Sequence, residues 1–139
     1  MNKFNVFTYG SLMFASVWAR VVRGDYRSTE ATVHGFRRVC VRGRHHPALI
    51  ISANAAPVAG RLYFDVSAED IARLDHFESS QYARLAIAVT VAGHAVSAQS
   101  YLALNVDSLL SEDWSLTEFE QHGLPIFNAT YVVENAPPA

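Results

Sequence analysis

The sequence predicts an α+β fold, with a small mixed, barrel-like sheet and a few flanking helices. Three observations point there. About six β-prone runs are spread along the chain, several of them in hairpin order. Only about two or three short segments carry helical spacing. No internal repeat and no linker divides the 139 residues, a length that suits one domain with its own core. We expect that domain to span 1–134, with 135–139 as a flexible tail.

The elements follow in order. Asn2 to Thr8 places Phe4 and Val6 in alternation, and Phe7 joins them near the end, as in a strand most buried at its C-terminal half. Gly10 and Ser11 break it. From Met13 to Val22, apolar residues recur at helical spacing, and Gly24 reads as the stop. Asp25 to Ala31 is polar and reads as loop. Thr32 to Val41 is β-rich, with Gly35 as a bulge. Turns are expected over Gly43 to Pro47 and Ala53 to Pro57, with strands at Ala48 to Ser52 and Val58 to Val66.

Ser67-Ala68-Glu69-Asp70 is a helix start, with Ser67 as cap and two acids in the first turn. Ile71, Leu74 and Phe77 then share a face, and the helix should end near Glu78. Tyr82 to Val91 and Ala95 to Leu104 alternate around Ala92-Gly93-His94, a hairpin pattern. Ser111 to Gly123 carries Trp114, Leu116 and Phe119 and reads as an amphipathic helix stopped by Gly123 and Pro125.

Composition narrows the function classes. Half of the residues are hydrophobic and 17% are charged, so disorder is not expected. A net charge of −2 removes any general electrostatic case for nucleic acid. Arg37, Arg38, Arg42 and Arg44 cluster locally and read as solvated surface. No apolar run has the length of a membrane span, and no secretory leader pattern opens the chain. Cys40 is the one cysteine, which rules out an internal disulfide and reads as a small buried hydrophobe. A cytoplasmic protein is expected.

Two features could carry chemistry. The first is the strand-to-turn junction Val6-Phe7-Thr8-Tyr9-Gly10-Ser11-Leu12-Met13. Backbone N–H groups left unpaired at such a junction bind anions, and glycine lets a ligand approach the backbone. A side chain at position 10 is expected to obstruct that ligand. The second is Glu78, at a helix C-terminus where the macrodipole disfavours negative charge. Partial burial there would raise its pKa toward that of a general base. His45 and His46 are neighbours and point to opposite faces in extended chain, so a shared metal ion is not expected. His34, His76, His94 and His122 are scattered and read as surface. Ser11 is outside a G-x-S-x-G elbow, which argues against a Ser/His/Asp triad. Tyr63, Tyr82 and Tyr101 lie in strand patterns and read as core.

Three segments together resemble the γ-glutamylcyclotransferase-like superfamily, which includes the plant AIG2-like proteins and bacterial relatives. Val6 to Met13 resembles the family's FxYGSL/TLM start. Gly60-Arg61-Leu62-Tyr63 is similar to its G-x-L-(Y/F) strand. Leu74-Asp75-His76-Phe77-Glu78-Ser79-Ser80-Gln81-Tyr82-Ala83-Arg84 is similar to its LDxfE…Y-x-R signature. The likeness runs from about Asn5 to Leu104. One departure stands out: many members have Tyr-Pro after the second strand, where this chain has His46-Pro47.

The resemblance implies a small mixed barrel with flanking helices and an intramolecular aminolysis. The free α-amine of a γ-glutamyl group attacks its own γ-carbonyl, giving 5-oxoproline and a free amine or amino acid. It implies Glu78 as the catalytic acid/base, and Tyr9, Gly10, Ser11 and Leu12 as substrate-binding residues. Tyr82 and, more distantly, Tyr101 join them. No metal or cofactor is implied, and the partner is a small γ-glutamyl compound. Specificity is assigned to His45, His46 and the C-terminal segment. Two other functions are kept: a non-catalytic small-molecule-binding protein on the same fold, and a Glu-dependent amide hydrolase.

Overall fold

The computed structural model describes residues 2–104 and 106–137. Five strands close into a barrel in the order β1(Lys3–Thr8), β5(Val58–Ser67), β2(Ser28–Val33), β6(Tyr82–Val91) and β7(His94–Ala103), and β7 returns to β1 in parallel. A second sheet has the order β4(Pro47–Ile51), β3(Phe36–Val41), β8(Leu109–Asp113). The fold class read from the sequence is therefore correct.

Alternation in the strands builds two cores. Phe7 and Leu62 join Tyr9, Val33, Leu49 and Val89 in one. Val6 and Tyr63 face the other, with residues of α1(Ala15–Val21), α2(Ala68–Glu78) and the C-terminal helices. There the Tyr63 ring stacks on Trp18 with centroids 3.7 Å apart. The barrel requires a glycine at the end of the β1–β5 pairing. A Cβ on Gly60 would collide with the Thr8 carbonyl oxygen and lie 2.6 Å from Phe7 Cζ.

α2 is fixed at its start. The Ser67 hydroxyl accepts from the Asp70 N–H at 3.2 Å, as expected of a cap. Asp70 itself is buried and accepts from the N–H groups of Arg23 and Gly24, from the Tyr26 hydroxyl at 2.6 Å and from Arg73 at 2.7 Å. Burial works against its charge, yet these donors outweigh it and hold the carboxyl below its usual range. The helix is thus tied to the chain that follows α1. The β6–β7 hairpin turns through Ala92 and Gly93, both left-handed at φ 49° and 81°.

Several expectations give way. β2 begins at Ser28, inside the stretch read as loop, because the polar Ser28-Thr29-Glu30 pairs with Tyr63-Leu62-Arg61 of β5. Gly35, at φ 83°, is a turn between two strands and not a bulge within one. Ser111 to Asp113 belong to β8, paired with β3, so the amphipathic helix starts later, at α3(Leu116–Glu118). Gly123 and Pro125 do not stop it. A π turn at Phe119–Gly123 leads into α4(Leu124–Ala129), and Pro125 falls in the first turn, where its missing N–H costs nothing. α5(Tyr131–Asn135) follows. Pro138 and Ala139, at the end of the expected tail, lie outside the described residues. No helix among the described residues is long and apolar enough to cross a membrane.

The arginine cluster is only partly solvated surface. Arg42 and Arg44 are exposed, and Arg37 bridges to Asp113 at 2.6 Å. Arg38, half-buried, donates to the Tyr9 carbonyl at 2.9 Å and lies 5.0 Å over the Trp114 ring. Cys40 is part-exposed, with its Sγ 3.7 Å from the Asp113 carbonyl.

Replacing Gly60 by Ala is expected to destabilise the fold by about 2–4 kcal/mol, because backbone rather than a pliable side chain stands in the way. The denaturant midpoint of the variant measures this; an unchanged midpoint would mean that the β1–β5 pairing tolerates a side chain at position 60.

Candidate active site

β1 ends at Thr8, and the chain passes through Tyr9 and Gly10 into a single tight turn, Ser11–Met13, before α1. The helix read from Met13 is therefore two pieces. The first N–H groups of such a turn have no partner within it. Tyr9 is anchored at both ends: its hydroxyl donates to the Tyr101 carbonyl at 2.6 Å, and its own carbonyl accepts from Arg38. Gly10 lies against Pro47. A Cβ there would sit 2.6 Å from Pro47 Cδ, so the first obstacle to a side chain at position 10 is the proline ring and not a ligand.

Glu78 is the last residue of α2 and is half-buried. The next residue, Ser79, has φ +66°, a region that side chains avoid, and the helix stops there. The carboxyl and the Tyr9-Gly10-Ser11-Leu12 turn line one narrow cavity of ≈ 30 Å³, together with Tyr82 and Tyr101. All seven residues singled out in the sequence thus come together. His46, to which specificity was assigned, lines the same cavity, as do Phe77, Phe127 and Tyr131, which were not singled out as site residues. Phe127 and Tyr131 stack with centroids 5.0 Å apart, and their i,i+4 spacing was the available signal.

Burial pushes the Glu78 carboxyl up to about 8, and the nearby Asp75 carboxylate pushes in the same direction. No side chain among the described residues donates a hydrogen bond to it. The surrounding tyrosines are occupied elsewhere. Tyr82 donates to the Pro47 carbonyl at 3.0 Å and Tyr131 to the Phe77 carbonyl at 2.9 Å. The Tyr101 hydroxyl donates to Asp75 at 2.7 Å, and Arg84 pairs with the same carboxylate at 2.9 Å. Burial and the Glu78 charge raise the Tyr82 hydroxyl and take that of Tyr131 to about 12, so both stay protonated at neutral pH.

The two histidines diverge, as neighbours in extended chain should. His45 is exposed, and its carbonyl accepts from Trp114 Nε1 at 2.7 Å. His46 is buried among Tyr82, Phe127 and Tyr131, with its ring 4.9 Å from that of Tyr131. Burial, with Arg44 and His45 nearby, lowers it to about 4, which keeps it neutral. No group of three or more His, Cys, Asp or Glu side chains suited to a metal ion occurs among the described residues.

Fold and site together define a class: a small barrel enclosing one elevated carboxyl beside a glycine-bearing backbone turn. A family model described as γ-glutamyl cyclotransferase, AIG2-like, matches residues 6–116. The chain belongs to this family, as its three sequence segments implied. AIG2-like protein D of Arabidopsis thaliana is 30% identical over 121 residues, covering 84% of this chain and 79% of that protein. Protein AIG2 C of the same plant is 26% identical, over 83% of this chain and 71% of its own length. A solution structure from Arabidopsis thaliana superposes with a TM-score of 0.73 at 23% identity, over 96% of this chain and 82% of that one. A γ-glutamyl cyclotransferase structure gives 0.66 at 17% identity, over 99% and 90%. These structural likenesses show the shared fold.

The elevated carboxyl should weaken the fold. With a folded pKa near 8, Glu78 resists ionisation that the unfolded chain allows near pH 4.5. Its destabilising effect appears as pH rises through the lower value and is complete above the higher one. Glu78→Gln is therefore expected to raise stability by on the order of 2–4 kcal/mol at pH 9 and by almost nothing at pH 4. Denaturation at the two pH values checks this; equal changes at both would deny the carboxyl its elevated pKa.

Proposed function

We propose that this protein is a γ-glutamyl cyclotransferase that converts a γ-glutamyl amide into 5-oxoproline and a free amine or amino acid. The observation that carries the proposal is the Glu78 carboxyl, elevated to about 8 and lining the same cavity as the Gly10 turn. A group with that pKa is divided between base and acid near neutral pH, which suits one residue that must do both jobs.

In the proposed reaction the substrate's α-ammonium gives a proton to the Glu78 carboxylate. The freed amine attacks the γ-carbonyl, a C–N bond closes the five-membered lactam, and the old amide C–N bond breaks. Over the reaction the attacking nitrogen loses two protons and the leaving nitrogen gains two; Glu78 shuttles them. Nucleophile and electrophile share one molecule, so the protein's main tasks are to hold the bent conformer and move protons. Orientation of this kind is worth up to about 7–11 kcal/mol of barrier. The N–H groups of Ser11 and Leu12 are the donors for the substrate carboxylate or the developing oxyanion. Tyr9, Tyr82 and Tyr101 wall the substrate in. The chemistry calls on no metal or cofactor, and a cytoplasmic location fits the single free Cys40.

The test is 5-oxoproline release by purified protein over γ-glutamyl amino acids, γ-glutamylamines and glutathione. Glu78→Gln is expected to lower kcat by about 10²–10⁴-fold in a folded protein. Undiminished turnover in that variant would remove Glu78 from the reaction, and glutamate in place of 5-oxoproline would make the protein an amide hydrolase.

The pH profile gives a second check. Because the base form of Glu78 is needed first, kcat/KM should rise with pH, pass its half-maximum near pH 8 and level off about one unit higher. A profile already flat from pH 5 would contradict an elevated base.

A further inference from the structure

The polar side chains around the Glu78 cavity can be followed one by one to their partners. Thr8 Oγ1 donates to the Arg61 carbonyl at 2.9 Å. The single hydroxyl protons of Tyr9, Tyr82 and Tyr131 go to backbone carbonyls, and that of Tyr101 goes to Asp75. A tyrosine whose proton is committed offers a ligand only lone pairs. The tyrosines and Glu78 therefore make an acceptor-rich surface, suited to an ammonium group.

Donors are scarcer. Among the described lining side chains, the Ser11 hydroxyl and the His46 imidazole are left without a protein partner. His46 is the sharper case. It is only 7% exposed, and its Nε2 atom is buried with nothing to bond to. Buried polar atoms are rarely left so, and an exception at a pocket wall points to an absent partner. The neighbouring Pro47 packs on Gly10, so His46 and the Gly10 turn are adjoining parts of the wall. Arg44, exposed and close enough to influence His46, adds positive potential on this side.

We propose that His46 is a substrate-binding residue whose Nε2–H donates to the carboxylate of the γ-glutamyl head group, beside the Gly10 turn. The inference rests on the γ-glutamyl reading of the pocket. It gives the cavity two poles: tyrosine lone pairs and Glu78 for the α-ammonium, His46 and the turn for the carboxylate. A neutral imidazole can fill this role because it donates from one nitrogen without bringing a buried charge. Nε2 is shut off from solvent, so a ligand reaches it only when a neighbouring ring turns aside. The departure from Tyr-Pro to His46-Pro47 thus acquires a function in recognition.

Two probes isolate the contact. 5-Oxoproline carries the lactam ring and the carboxylate; 2-pyrrolidone is the same ring without the carboxylate. Titrations followed by NMR would compare wild type with His46→Phe, which keeps a ring and removes both nitrogens, and His46→Gln, which restores an N–H near Nε2. Wild type is expected to prefer 5-oxoproline by about tenfold or more, His46→Phe to lose most of that preference, and His46→Gln to regain part of it. In turnover, His46→Phe should raise KM by about tenfold and change kcat far less, as for a contact equal in ground and transition states. Thermal unfolding of both variants confirms that they fold.

A folded His46→Phe protein with wild-type discrimination and KM overturns the proposal. So does a wild-type protein that does not prefer the carboxylate-bearing lactam. Neither result touches Glu78-dependent release of 5-oxoproline, which judges the reaction separately. Conversely, carboxylate discrimination that depends on His46 in a protein without turnover supports the binding role and rejects the reaction.

Discussion

A half-buried carboxyl group, to which no side chain among the described residues donates a hydrogen bond, is the condition on which this molecule depends. The Glu78 carboxyl stays near 8 because two influences add: burial, and the charge of Asp75 one turn earlier in α2. A third influence is withheld. Hydrogen bonds from nearby hydroxyls would stabilise the charged form and bring the pKa down. The tyrosines prevent this by giving their protons to Pro47, Phe77, Tyr101 and Asp75 instead. The pocket carries several hydroxyl groups, yet among the described residues none of them donates to its acid.

Such an arrangement opposes folding stability, and the rest of the scaffold compensates. The N-terminal end of α2 carries the Ser67 cap and the Asp70 hub, both strongly satisfied. The C-terminal end carries the unsatisfied acid. Anchoring the start of the helix positions its end, because a short helix moves as a rigid rod. The turn after β1 is held in a similar way, by Arg38 on the Tyr9 carbonyl and by Pro47 against Gly10. The satisfied Asp70 hub and the elevated Glu78 carboxyl therefore occupy opposite ends of the same helix.

Much of this was legible in the chain because it is local. The Ser67 cap and the Ile71, Leu74, Phe77 face are helix rules written in adjacent residues. The β6–β7 hairpin shows the same for strands, since alternation around Ala92 and Gly93 specifies it, although His94, read as turn, is the first residue of β7. Ser28 to Glu30 and Ser111 to Asp113 failed by that standard. Neither stretch has apolar alternation, and each becomes a strand only through its partner, β5 or β3. Gly123 and Pro125 misled for a related reason: both residues stop helices in isolation, but packing against the barrel lets one helix hand over to the next through a π turn.

The site divides along the same line. Sequence alone determined that a glycine-bearing turn follows β1, that Glu78 ends a capped helix, and that the segments around them belong to one family. These depend on backbone preferences and residue spacing, which the chain carries directly. Only the tertiary structure decided that Asp75 raises Glu78 while tyrosine protons point elsewhere, that Arg38 holds the site turn, and that Gly60 is required by the neighbouring strand β1. It also decided that one of two adjacent histidines lines the pocket, against Phe127 and Tyr131 from the far end of the chain. Electrostatic environment and burial are properties of what is brought together from a distance, so no local pattern could have recorded them.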